Sequence, residues 1–175
     1  MVFTDGRWVL GDPERRGGAA WSEFRPDGLL THARDGGEEL LPWERLMDGV
    51  RLVVGGHVTR AGSTVSPFGL VAGLPGPFRG RGGGRLHLNV RHPYDEITLF
   101  FDRHRRWYPL MELSILEALL GHLSSRQEWE RLADEAWLTE VVERLSRRKW
   151  QTTGQMHRSV TEALDAASGT AGAAA

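Results

Sequence analysis

The first hundred residues alternate between short apolar runs and polar turns, which is typical of antiparallel β-strands. A short strand is predicted over residues 7–10, and a hairpin is predicted over residues 20–34. The tripeptide Pro26-Asp27-Gly28 divides this hairpin. It suits a tight reversal because proline fixes φ and glycine tolerates positive φ. Further strands are predicted over 40–46, 49–54 and, more weakly, 64–72.

The clearest hairpin lies near the middle of the chain. Residues 85–90 alternate strictly, so the apolar positions share one face of a strand and the polar positions share the other. The apolar positions are Leu86, Leu88 and Val90. After a turn, residues 97–101 return as a more apolar strand. Residues 73–84 are so rich in glycine and proline that we expect an exposed loop there.

The hydrophobic period changes from two to about 3.6 after residue 108, which predicts helices. Pro109 suits a first helical turn. The apolar stripe that follows it consists of Leu113, Leu116, Leu120 and Leu123. A second helix is predicted over 125–149, because Ser125 and Glu128 have the spacing of a capping box.

The element order predicts an α+β fold, since strands followed by helices do not form alternating βαβ units. We expect a small antiparallel β-barrel or sandwich of about seven strands, capped by a C-terminal helix. This unit covers residues 1–123, and the appended amphipathic helix covers 124–150. Small residues dominate the end of the chain, so we expect a flexible tail over 151–175, with a short helix over 159–167 as the alternative.

This order of elements resembles the bacterial pleckstrin-homology-like domains. The resemblance is carried by the 20–34 hairpin, the segment LLPWERLMDGVRLVV and the last hairpin that leads into helix 109–123. It implies a barrel that binds peptides or proteins or, in some families, phosphoinositide headgroups. Headgroup binding in those families uses basic residues around the first hairpin. Acidic residues interrupt the matching arginines here, which does not favour a phosphoinositide; these arginines are Arg7, Arg15, Arg16 and Arg25.

Composition narrows the classes of function. The chain has 175 residues, and its 22 basic and 23 acidic side chains give a net charge of −1. This balance does not favour a domain that binds nucleic acid through its overall charge. Cysteine is absent, which excludes disulfides and thiolate metal sites. We find no apolar run of membrane-spanning length and no secretory signal, so we expect a cytoplasmic protein.

Histidines are the first candidates for chemistry. His87, His92 and His104 flank the last hairpin near several carboxylates, but a metal site requires them to converge on one ion. The sequence does not show convergence, so we expect exposed histidines, no metal and no cofactor. It contains no nucleophile elbow and no phosphate-binding lysine motif, and we therefore expect no catalysis. A hydrolase or metal enzyme is the third hypothesis.

The segment 102–108 has the most distinctive local composition, with three arginines, a histidine and two aromatic residues. Such side chains can stack on bases and contact phosphates. The candidate binding residues are Arg103, Arg105, Arg106 and Trp107, with Arg79 and Arg81 as additions from the glycine-rich loop. In the alternative interpretation, Trp107 anchors the start of the helix in the core and the arginines are solvated or paired with acidic neighbours.

The tryptophans of the second helix suggest a protein interface, where such anchors are enriched. Trp129 and Leu132 fit the packing stripe, but Trp137 lies one position off it and is the candidate exposed anchor. We expect a non-catalytic protein- or peptide-binding module that uses a sheet edge or the groove beside the capping helix, with homodimerisation through the C-terminal helix as an option. The alternative is a nucleic-acid-associated regulatory protein that uses residues 103–108.

Overall fold

The computed structural model describes residues 1–15, 18–54, 77–78, 84–91, 95–102, 108–148, 150 and 152–173. These residues form a five-stranded and a three-stranded antiparallel sheet, a pair of two-residue strands and three α-helices. The predicted α+β class is confirmed. The strand predicted over 64–72 lies outside the described residues.

The first sheet is a meander of five consecutive strands. They are β1 (Val2–Thr4), β2 (Arg7–Gly11), β3 (Trp21–Arg25), β4 (Gly28–His32) and β5 (Glu38–Pro42). The predicted reversal at Pro26 and Asp27 is confirmed, because Arg25 pairs with Gly28 where the β3–β4 ladder ends. Glycine is required at position 28, since an added Cβ would clash with the carbonyl oxygen of Leu41.

The second sheet has three strands, and its central strand pairs with both of the others. After a 3₁₀ turn at Trp43–Arg45, its strands are β6 (Leu46–Val54), β8 (Gly84–Val90) and β9 (Asp95–Phe101). The predicted alternation in β8 is confirmed, because its three apolar side chains are buried. Within the segment predicted to be a loop, β7 (Pro77–Phe78) pairs with β10 (Tyr108–Pro109).

The first helix, α1, spans Leu110–Arg126 and begins directly after Pro109. Gln127 follows with a φ of 54°, a left-handed conformation that a helix does not continue through. The chain then forms a 3₁₀ helix, Trp129–Ala133, and α2 spans Glu135–Ser146. Asp134 caps α2 by accepting a hydrogen bond of 3.0 Å from the backbone N–H of Trp137. The predicted continuous helix over 125–149, with Ser125 as its cap, is therefore wrong.

The C-terminal segment is a third helix, α3, over Thr153–Ala173. Its buried residues recur at helical spacing and belong to the hydrophobic core; they are Met156, Val160, Ala163, Leu164 and Ala167. Alanine is the strongest helix former, and its small side chain lets α3 pack closely. These two properties stabilise α3 although it contains few large apolar residues. The prediction of a flexible tail is wrong for this segment, and the alternative helix over 159–167 lies within α3.

One hydrophobic cluster contains residues from both large sheets and from the helices. The first sheet contributes Trp8, Leu10, Phe24, Leu29 and Leu41, which lie on one of its faces. Residues of the 3₁₀ helix and of α2 belong to the same cluster. The described strands form separate sheets that do not close into a barrel. Of the two predicted architectures, barrel and sandwich, the barrel is therefore wrong for the described strands.

Candidate functional site

Most of the predicted binding residues lie outside the described part of the chain. Arg103, Arg105, Arg106 and Trp107 belong to this group, and so do the two loop arginines at 79 and 81. Asp102, which precedes them, is described. The nucleic-acid hypothesis for segment 103–108 stays a prediction.

Trp137 is buried and is not an exposed anchor, so this prediction is wrong. Its side chain is 3% exposed and belongs to the core. The guanidinium of Arg131 lies 5.4 Å from the centre of its ring. The reason for the error is the break between α1 and α2. α2 is a separate helix that begins after Asp134, so its buried face does not continue the apolar stripe of α1. This face includes Trp137, Val141 and Leu145.

Of the three histidines around the last hairpin, the structure describes His87, and their expected lack of convergence stays a prediction. His87 lies on the outer face of the second sheet, where its Nδ1 is 2.8 Å from a carboxylate oxygen of Glu96 and 3.1 Å from the hydroxyl of Thr98. His92 and His104 lie outside the described residues. Within the described ranges, no group of three or more metal-ligating side chains comes together.

A buried carboxylate joins the two large sheets. Asp102 follows β9, and its backbone N–H donates to the carbonyl oxygen of Ala20, just before β3, at 2.6 Å. Its side chain is 0% exposed and accepts from the backbone N–H of Ala20 at 3.0 Å. Arg34 donates to both carboxylate oxygens, and a nitrogen of Arg15 lies 3.1 Å away. We call this set, Asp102 with Ala20, Arg34 and Arg15, the Asp102 junction.

The donors of the junction stabilise the charged form of Asp102. The hydrogen bonds from Arg34 have the largest effect and hold the pKa of this carboxyl below its ordinary value, although burial opposes them. The N–H of Ala20 and the charge of Arg15 act in the same direction as Arg34. Every carboxylate oxygen already has a donor, so the junction is a structural link between the sheets.

Two side chains of α1 cover the outer edge of β6. Glu117 accepts a hydrogen bond of 3.2 Å from the backbone N–H of Leu52. The buried hydroxyl of Ser124 accepts from the N–H of Gly49 at 3.0 Å and lies 3.3 Å from the carbonyl oxygen of Met47. These bonds satisfy main-chain groups that an edge strand leaves unpaired. They fix α1 against β6 beside a cleft.

This cleft lies between β6, α1 and α3 and has a volume of about 460 Å³. Its apolar lining consists of Val50, Ala118 and Met156. Its polar lining consists of Glu117, His122 and His157, together with the hydroxyls of Ser114, Ser125 and Thr153. The volume is in the range of ordinary ligand sites. We call it the α1–α3 cleft.

The two histidines meet across the cleft from different helices. Their ring centres are 6.3 Å apart, and the Nε2 atom of His122 lies 3.3 Å from the hydroxyl oxygen of Thr161 on α3. Burial is the main cause that lowers the pKa of His122, and the charges of Arg126 and His157 lower it further. Asp165 opposes this shift. The neutral imidazole is therefore the favoured form of His122 at neutral pH.

Gly121 lines the cleft and has open space beside it. It lies within α1, and a Cβ added to it would meet no atom within 4 Å. A glycine inside a helix is less stable than alanine by about 0.5–1 kcal/mol. A larger side chain at this position would extend into the open space of the cleft.

Sequence reasoning predicted a groove beside the capping helix but not its residues. His157, which meets His122 in the cleft, lies in the segment predicted to be a flexible tail. The helical spacing of Met156, Val160, Ala163 and Ala167 was the signal that could have identified α3.

The described part of this chain therefore defines a two-sheet α+β protein with a helix-bounded cleft. Comparisons with models of protein families, with curated proteins and with solved structures gave no match to the chain. The resemblance to pleckstrin-homology-like domains stays a prediction from element order. Among the described helices, none has the length and apolar character that a bilayer span requires.

Proposed function

We propose that this protein is a non-catalytic binding module that accepts a short segment of a partner protein in the α1–α3 cleft. The observation that carries the proposal is the cleft itself, which combines an apolar lining with polar groups at its sides. Binding sites for peptides and small ligands have this combination, because apolar contacts give affinity and a few polar groups give orientation.

The hydrogen bond of Ser125 supports a role in binding rather than in catalysis for this serine. The hydroxyl of Ser125 donates to the backbone carbonyl of His122 at 2.9 Å. A nucleophilic serine would instead need an imidazole or another base within hydrogen-bond distance. Glu117 is engaged with the main chain of β6. Ser125 and Glu117 are thus held by hydrogen bonds to the main chain, which favours recognition.

The cleft is a better candidate than a sheet edge. Its lining residues are all described, and it lies where two helices and a strand already hold its width. The edge strand β9 pairs with β8 and, within the described residues, with no other strand. Its side chain Phe100 is 60% exposed, whereas the lining of the cleft combines apolar residues with polar groups.

Gly121 provides a direct test of the proposed function. Replacement by leucine places a side chain in the cleft, and leucine is a better helix former than glycine, so the fold is retained. Gly169→Leu is the matched control, because Gly169 is an exposed helical glycine of α3 with the same free space around it.

The experiment selects random dodecapeptides on the immobilised wild-type protein and measures the selected peptides by fluorescence polarisation. We expect Gly121→Leu to weaken binding by about tenfold or more, which corresponds to about 1.4 kcal/mol. Gly169→Leu should bind as the wild type does. The proposal is wrong if no peptide is selected, or if both variants bind equally well.

A further inference from the structure

We propose that the α1–α3 cleft recognises a basic side chain, with its ammonium or guanidinium group beside Glu117 and its aliphatic stem on Met156. This inference rests on the proposed function and specifies the chemistry of the partner segment. It follows from the charges that line the cleft and from the shape of its apolar part.

Glu117 is the one carboxylic acid that lines the cleft, among the residues that the structure describes. Its carboxylate is half-buried and receives one hydrogen bond, from the N–H of Leu52. No arginine, lysine or histidine within the described ranges forms an ion pair with it. A carboxylate can accept about four hydrogen bonds, so most of its capacity is open to a ligand.

A half-buried carboxylate without a cation is costly to desolvate, and a basic ligand removes this cost by supplying charge-assisted hydrogen bonds. The two histidines of the cleft do not fill this role in the structure. Their rings meet edge to face, and His122 lies against Thr161 on α3. The carboxylate therefore selects for a cation from outside the chain.

The apolar lining complements the stem of such a side chain. Lysine and arginine carry three or four methylene groups that pack on apolar surfaces while the charged group contacts polar ones. Met156 is buried and lines the cleft together with Ala118 and Val50. A methionine side chain adapts to a flexible chain better than a branched residue does.

The test uses n-butylguanidinium chloride as the probe and its neutral analogue n-butylurea as the reference ligand. Both are titrated into the full-length protein while the ring Hε1 signals of His122 and His157 are followed by NMR. We expect saturable shifts with butylguanidinium and much smaller ones with butylurea. Glu117→Gln should remove the difference, because the amide still accepts from Leu52 but carries no charge.

Glu143→Gln is the matched control, since Glu143 is an exposed glutamate of α2 that pairs with Arg147 away from the cleft. It should leave the butylguanidinium shifts unchanged. Urea unfolding checks that both variants are folded. Equal shifts with the two ligands, no shift with either, or a response that Glu117→Gln does not reduce would overturn the inference.

The selected peptides distinguish this inference from the proposed function. Enrichment of lysine or arginine, with a loss of about tenfold in affinity for Glu117→Gln, supports both. Peptides that Gly121→Leu blocks but that show no basic preference leave the proposed function in place and overturn the charge recognition. An absence of selected peptides overturns the proposed function, whereas the butylguanidinium titration still decides whether the carboxylate binds a cation.

Discussion

Asp102 and Glu117 are two carboxylates of one small protein, and they differ in burial and in the number of hydrogen-bond donors around them. Asp102 is fully buried and its oxygens are occupied by Ala20 and two arginines. Glu117 is half-buried and receives one main-chain hydrogen bond. Burial alone does not distinguish a structural charge from a binding charge. The number of donors that already occupy the carboxylate does.

The comparison also shows where each carboxylate acts. The Asp102 junction connects the chain just after β9 with the chain just before β3, so it holds the two sheets together. Glu117 covers the edge of β6 and lines the α1–α3 cleft. Substitution of Asp102 should therefore change stability more than binding. Substitution of Glu117 should change binding more than stability.

Asp102→Asn is expected to have the largest effect on stability. The substitution removes the charge that Arg34 and Arg15 contact and replaces one oxygen by an NH₂ group that cannot accept. Loss of one partner of a buried ion pair costs about 3–5 kcal/mol. The arginine side chains are 62% and 48% exposed and can turn to water, so we expect about 3 kcal/mol, at the lower end of this range.

Urea unfolding followed by tryptophan fluorescence measures this loss. Asp165→Asn is the control, because Asp165 is 60% exposed and pairs with Arg126 at 3.1 Å on the surface. Exposed ion pairs contribute less than about 1 kcal/mol. Equal losses in the two variants would show that the Asp102 junction is no stronger than a surface ion pair.

The acid dependence of stability is the second expected effect. The pKa of Asp102 is below its ordinary value of 3.8 in the folded protein, so the unfolded chain binds the proton more readily. The stabilisation by this carboxylate is complete above pH 3.8 and is lost as the pH falls through the pKa of the folded state. We expect the stability difference between wild type and Asp102→Asn to shrink in this acidic window. A difference that stays constant from neutral pH to pH 2 would contradict this assignment.

Local patterns predicted the parts of the fold that depend on neighbouring residues. The reversal at Pro26 and Asp27 and the alternation of Leu86, Leu88 and Val90 are examples, because turn geometry and strand faces are set within a few positions. The break after α1 was missed, since the positive φ of Gln127 leaves no clear mark in the sequence. The buried face of α2 was therefore assigned wrongly, and Trp137 was expected to be exposed although it is buried.

The candidate site depends on contacts between distant residues, which local patterns do not contain. Asp102 and Arg34 are 68 positions apart, and His122 and Thr161 are 39 apart. Neither pair has a spacing that indicates contact. The sequence predicted a groove beside the capping helix from the order of elements, but the residues of the groove became apparent only once α3 was placed against α1.

The smallest expected effect is a pH dependence of stability at the α1–α3 cleft, in a window separate from that of Asp102. Burial, Arg126 and His157 hold the pKa of His122 below its ordinary value of 6.5, with Asp165 as the opposing charge. Because the folded pKa is the lower one, the unfolded chain takes up the proton first. The contribution of His122 to stability is complete above pH 6.5 and decreases as the pH falls from there through the pKa of the folded state.

His122→Gln should remove this decrease, since glutamine does not titrate. His87→Gln is the control, because His87 lies on the outer face of the second sheet and outside the cleft. Unfolding free energies measured from pH 8 to pH 5 should decrease for wild type and His87→Gln but less for His122→Gln. The wild type should thus lose stability in two steps, first at the cleft and then, near the acid limit, at the Asp102 junction. If His122→Gln keeps the wild-type slope in the first step, another group causes it, and the burial of His122 against α3 does not control its protonation.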